Sequence, residues 1–138
     1  MPHVLDSSAV LAWLQQEPGS DLVGSALEKG LVTAANWAEV LQKARQHGAD
    51  PQEVGLLLRS LGIEIIDVTQ EDGETAALIW TTEAPLSLGD RLCLAAATRL
   101  GLPVMTADTE WARVEIEDLQ IKVIRRRSPG RVSRTRKR

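Results

Sequence analysis

Apolar and polar positions fall in blocks along this chain, and the period changes from block to block. Val4-Leu5 is a short apolar run that stops at Asp6, and apolar residues resume at helical spacing through Leu14. The pattern predicts a buried strand followed at once by a helix capped by Asp6 or Ser7. Glu17-Pro18-Gly19-Ser20 is a turn, and residues 21–29 read as a helix closed by Gly30 in a left-handed cap. Leu31-Val32-Thr33-Ala34 reads as a strand. Asn36-Trp37-Ala38-Glu39 then opens a helix that stops at Gly48. Asp50-Pro51 starts another, with Pro at the first helical position. Ile63-Glu64-Ile65-Ile66-Asp67-Val68 is the clearest strand pattern in the chain. Thr69 to Asp72 caps a helix over residues 71–82, Ala84-Pro85 breaks it, and Ser87 opens an Ala- and Leu-rich helix closed by Gly101. Residues 102–106 form a strand, Asp108-Thr109-Glu110-Trp111 a helical turn, and Ile121-Lys122-Val123-Ile124 the last strand. Strands and helices alternating at this spacing predict an α/β fold: a mainly parallel sheet with helices on both faces.

At 138 residues the chain is expected to be a single domain with one core. No apolar run is long enough to span a membrane, Asp6 interrupts any signal-peptide core, and a lone Cys93 rules out an internal disulfide. These features predict a cytoplasmic protein. One cysteine and two histidines argue against a structural zinc site. The net charge of −3 conceals an asymmetry: residues 125–138 hold 8 Arg/Lys and no acid, while residues 1–124 carry 8 bases against 19 acids, a balance of −11. The expected domain is therefore 1–124, with 125–138 a mobile basic tail. An acidic body repels polyphosphate, so a nucleic-acid role needs metal ions, the tail or a partner protein.

In a parallel sheet the strand ends at Asp6 and Asp108 and the helix starts at Glu39 and Asp90 can all face the carboxyl edge, where open α/β sheets keep their ligands. Each acid also has a plainer reading. Asp6 and Asp108 can cap the helices that follow them, and Asn36-x-x-Glu39 and Ser87-x-x-Asp90 both fit a capping box. Together, four converging carboxylates would repel: two unit charges ~4 Å apart cost about 4 kcal/mol at an effective dielectric of 20. A hard divalent cation reverses that sign, and carboxylate oxygens are the ligands Mg2+ or Mn2+ prefers. The cluster is therefore expected to hold one or two metal ions through Asp6, Asp90 and Asp108, with Glu39 either supporting those ligands or binding a second ion, and able to orient the attacking water. Ser7 and Thr106 are candidates to hydrogen-bond a metal water or phosphate, and Arg91 to touch a phosphate backbone. For these three a helix cap, a strand-end hydroxyl and a surface ion pair are the plainer roles.

The segments Val4-Leu5-Asp6-Ser7-Ser8-Ala9, Trp37-Ala38-Glu39-Val40, Leu86-Ser87-Leu88-Gly89-Asp90-Arg91 and Thr106-Ala107-Asp108-Thr109-Glu110-Trp111 resemble, in order, the acidic motifs of PIN-domain ribonucleases, most closely the VapC-type toxins of toxin–antitoxin pairs. The resemblance spans residues 3–124. It implies a three-layer α/β/α sandwich, a metal-dependent endoribonuclease, a cognate antitoxin and a homodimer. The basic tail departs from that pattern.

Other phosphoryl-transfer folds fit less well. A receiver domain needs a second acid beside Asp6, and a haloacid-dehalogenase-like phosphatase needs Asp-x-Asp where Ser8 stands. The rival from another class is a non-catalytic PIN-like binding module whose acidic cavity docks a basic partner segment. Trp13, Trp37, Trp80 and Trp111 are the only aromatic rings in a chain without Phe or Tyr, which assigns most of them to packing.

Overall fold

A computed structural model describes residues 1–126 of the chain. Five short strands form one sheet: β1 (Val4–Leu5), β2 (Leu31–Thr33), β3 (Glu64–Ile66), β4 (Val104–Thr106) and β5 (Ile121–Val123). Every neighbouring pair is parallel, and the spatial order is β3-β2-β1-β4-β5. The helices are α1 (Ser7–Leu14), α2 (Ser20–Ala26), α3 (Ala34–Gln46), α4 (Pro51–Ser60), α5 (Gln70–Ile79) and α6 (Leu88–Leu100), followed by a 3-10 turn at Thr109–Arg113.

Successive strand residues point to opposite faces, so the sheet divides the interior into two cores. On one face Leu5, Val32 and Met105 pack with Ala9, Val10, Val23, Val40 and Leu58 from α1 to α4. On the other, Val4 and Val104 pack with Cys93, Leu94, Ala97 and Trp111 from α6 and the 3-10 turn. The result is the expected three-layer α/β/α sandwich, with Cys93 buried and Trp111 fully enclosed. Among the described residues no helix is long and apolar enough to cross a membrane.

The strand order decides where a ligand can sit. From β1 at the centre the chain moves outward through β2 to β3, then crosses back to lay β4 on the other side of β1. The direction reverses between β1 and β4, and open sheets bind ligands in the crevice outside the carboxyl ends of such strands. Asp6 follows β1 directly, and Ala107-Asp108 follow β4.

Local details differ from the sequence reading in three places. The helix α3 starts at Ala34, because the Thr33 hydroxyl accepts the Asn36 N–H at 3.0 Å and caps it. Asn36 is thus inside the helix and does not open it. Lys29, at φ 64, takes the left-handed position expected of Gly30. Gly30 is needed for closeness instead: a Cβ there would stand 2.7 Å from the Ala26 carbonyl oxygen and 3.0 Å from Leu5 Cδ1. Arg125, assigned to the mobile tail, is tied down at both ends of its guanidinium. Its Nη1 donates to Glu17 Oε1 and its Nε to the Ala107 carbonyl, each at 3.0 Å. The rest of the tail, residues 127–138, lies outside the described residues.

One interhelical contact is strong. Thr69 and Asp72 form the expected capping box at the start of α5. The Asp72 carboxylate, itself buried, also takes a two-pronged bond from Arg99 on α6 at 2.8 and 3.0 Å.

Candidate active site

Asp6 sits where the chain leaves β1, 1 % exposed. Its Oδ1 caps α1 by accepting the Ala9 N–H at 2.9 Å, so the plainer reading of this acid also holds. The Ser8 hydroxyl donates to the same carboxylate at 2.8 Å, and Thr106, at the end of β4, donates to Oδ2 at 2.7 Å. Ser8 Oγ in turn accepts the Ala107 N–H at 2.9 Å, and Thr106 Oγ1 accepts the Asp108 N–H at 3.0 Å. Two hydroxyls therefore lace the ends of β1 and β4 together around one carboxylate. Even so, burial pushes the Asp6 carboxyl up from 3.8 to about 7, against the pull of these hydrogen bonds, and the charge of Asp90 pushes the same way.

Asp90 lies in the first turn of α6, where the Ser87 hydroxyl accepts its N–H at 3.2 Å. Burial raises its carboxyl above the ordinary carboxylate range; bonds with Ser87 oppose this, and the charges of Asp108 and Glu39 add to it. Asp108 caps the 3-10 turn by accepting the Glu110 N–H at 2.9 Å. Glu39, half-buried on α3, accepts from the Asn36 amide at 2.8 Å. The fields of Asp6, Asp90 and Glu39 all reach the buried Cys93 thiol, which burial has already pushed well up. The charge of Asp90 thus acts on Asp6, and those of Asp108 and Glu39 act on Asp90. No Lys or Arg among the described residues forms an ion pair with any of them.

The donor set is hard oxygen throughout, which suits Mg2+ or Mn2+. Among the described residues, no three His, Cys, Asp or Glu side chains are drawn tightly enough together to enclose an ion. Asp6, Asp90 and Asp108 therefore present an open arrangement rather than a closed cage. Mg2+ is suited to that, since it keeps several waters and takes one or two carboxylates plus phosphate oxygens. The uncompensated buried charge fits a cation of this kind.

Of the weaker candidates, Thr106 is in the centre of the network, while Ser7 opens α1 beside it without joining its hydrogen bonds. Arg91 turns away: its guanidinium donates to the carbonyls of Leu86 at 3.2 Å and Ala76 at 2.9 Å, bracing α6 against α5. Sequence reasoning missed Ser8 and Asn36. Ser8 had a signal, since a hydroxyl at the second helical position behind a capping aspartate can fold back onto it. Two clefts of about 560 and 610 Å3 lie along residues 111–121 and the end of α5, and none of the four acids lines either.

Residues 3–117 match the model of the PIN domain family. The chain belongs to the PIN-domain family. A search of curated protein sequences found no match. Solved structures share the PIN fold at low identity. A toxin–antitoxin complex from Klebsiella pneumoniae superposes with a TM-score of 0.68 at 21% identity, covering 85% of this chain and 94% of the other. VapBC2 from Rickettsia felis, bound to a DNA fragment from its promoter, gives 0.65 at 16%, covering 89% and 98%. VapC20 from Mycobacterium tuberculosis, a toxin that cleaves the sarcin–ricin loop, gives 0.63 at 15%, covering 79% and 92%.

Proposed function

We propose that this PIN-domain protein is a divalent-cation-dependent endoribonuclease that acts as the toxin of a toxin–antitoxin pair. The observation that carries the reading is Asp6: a fully buried carboxylate with no cationic partner among the described residues, beside Asp90, at the switch point of a parallel sheet. Asp6, Asp90 and Asp108 would hold Mg2+ or Mn2+, which supplies Lewis acidity to water and to the scissile phosphate. Glu39 orients the attacking water and accepts its proton. Ser8 and Thr106 keep Asp6 aimed at the crevice, and the helix amino termini of α1 and α6 add positive dipole ends that suit a phosphate.

The reading includes a cognate antitoxin, a homodimer and a cytoplasmic location. Exposed apolar side chains support protein partners: Leu56 and Leu57 on α4, and Leu78 and Trp80 at the end of α5, the last two 85 % and 50 % exposed.

The test is cleavage of RNA by the purified chain. Cleavage is expected with Mg2+ or Mn2+, is abolished by EDTA, and is lost in Asp6→Ala and Asp90→Ala with both variants still folded. If both variants cut like wild type, or wild type never cuts with either metal, a non-catalytic module that docks a basic partner segment replaces the nuclease.

A further inference from the structure

Glu39 projects from the middle of a helix, and a glutamate on three rotatable bonds has no fixed carboxylate position of its own. Two neighbours supply one. Asn36 lies one turn earlier on α3, within side-chain reach at i, i+3. Its backbone is pinned by the Thr33 cap, and its side chain is 0 % exposed. From there Nδ2 donates to Glu39 Oε1 at 2.8 Å and makes a longer contact of 3.4 Å with the Gly89 carbonyl oxygen. One buried amide thus spans the Glu39 carboxylate and the backbone of α6, one residue before Asp90.

Gly89 bounds the carboxylate on its other side. A Cβ at this position would stand 2.8 Å from Glu39 Oε2, closer than real Cβ atoms approach, and a tight 3.1 Å from its Cδ, so the carboxylate would have to move. Gly89 lies within α6 and has no positive φ, so the backbone itself does not call for glycine there. Close approach of Glu39 does. The Asn36 Oδ1 atom, meanwhile, is buried without a hydrogen-bond partner. An orphaned acceptor is costly, and its retention indicates that the other end of the amide is needed.

We infer that Asn36 is the positioning residue for Glu39 and that Gly89 provides the clearance, so that α3 and α6 hold this carboxylate in register with Asp90. The catalytic consequence rests on the nuclease reading; the tether itself does not.

The experiment compares wild type, Asn36→Ala, Gly89→Ala, Glu39→Gln and each of the first two combined with Glu39→Gln, all in the full chain. In metal-free protein, the 13C resonance of the Glu39 carboxyl is expected to move in both single variants; an unmoved resonance in both overturns the tether. In calorimetric titration with Mn2+ and in RNA cleavage, both single variants are expected to lose about 10–100-fold in Mn2+ affinity or kcat, with KM for RNA held. Neither is expected to change them further in the Glu39→Gln background. An equal loss in that background would show a merely structural role and overturn the inference. Gly89→Ala guards against misfolding, because alanine favours helix over glycine and its melting temperature should not fall. If wild type neither binds Mn2+ nor cuts RNA, the nuclease reading and the catalytic consequence fall together, and the resonance still decides the tether.

Discussion

Asp6→Asn separates what the buried charge costs from what the carboxylate does. In the unfolded chain Asp6 loses its proton near 3.8, while in the folded, metal-free protein it holds the proton to about 7. Between those values the unfolded state binds fewer protons, so stability falls as pH rises. The fall accumulates at 1.36 kcal/mol per pH unit across the gap, about 4 kcal/mol in all, and is complete above pH 7. That is a large share of the 5–15 kcal/mol typical of a domain. The asparagine side chain keeps an oxygen for the Ala9 N–H and carries no charge, so this fall disappears. Its amide meets the Thr106 hydroxyl with different hydrogen-bonding demands, a cost of about 1 kcal/mol that does not change with pH. The assay is urea unfolding in EDTA, followed by tryptophan fluorescence through the enclosed Trp111. Relative to wild type, the variant should gain about 4 kcal/mol between pH 4 and pH 8. Added Mg2+ or Mn2+ should stabilise wild type at pH 8 and leave the variant unchanged. A difference that stays the same at pH 4 and pH 8 would refute the reasoning, since Asp6 would then carry no desolvation penalty.

Asp72→Asn weakens the two-pronged bond between the buried Asp72 and the solvent-facing Arg99 and should lower stability by about 1–2 kcal/mol in the same unfolding assay. Arg99 and the cap hold the Asp72 carboxyl below its ordinary value. Its contribution is therefore present above the ordinary carboxylate range and lost as pH falls through the lowered value, so the variant should differ from wild type least in strong acid. Ser8→Ala strips a donor from Asp6 and orphans the Ala107 N–H. A loss of about 2 kcal/mol is expected by urea unfolding, and the Asp6 carboxyl, followed by NMR titration, should rise further. Deleting residues 127–138 removes 6 of the 16 Arg/Lys. RNA affinity measured against salt should then lose about 0.7 from its log–log slope for each phosphate contact given up; an unchanged slope would show that the basic segment does not touch RNA.

Much of the fold could be read from residue type because each strand is marked off by residues with one physical reading. Asp50-Pro51, Thr69 with Asp72, and Gly101 stand where caps were expected, with Gly101 left-handed at φ 67. The alternation of strands and helices was enough for a parallel sheet. Where the reading failed, the deciding contact was one that residue type alone does not show. Gly30 looked like a left-handed helix end and is instead small because the Ala26 carbonyl and Leu5 crowd it. Asn36 looked like a cap because Thr33 reads as a strand residue; Thr33 both ends β2 and caps α3. In the site, Asp6, Asp90 and Asp108 stand at the strand-end and helix-start positions that drew attention to them, whereas Glu39, read as a helix start, lies in the second turn of α3. Of the supporting hydroxyls, Thr106 was among the candidates, but Ser7 was taken where Ser8 makes the contact, because the two serines look alike until β4 is placed next to them. Arg91 was a candidate by adjacency to Asp90, but its direction depends on α5, which periodicity cannot orient.

The β1–β4 pairing joins residues a hundred positions apart, Val4 with Val104 and Leu5 with Met105. Closing so long a loop is slow, and its reward arrives only when nearly all of the intervening helices exist. Asp6 and Asp108 therefore belong to halves that remain strangers until late in folding. A polypeptide cut short before β4 would keep its first aspartate but lack Thr106, Asp108 and the crevice between them, so the acidic site exists only once nearly the whole chain has been made.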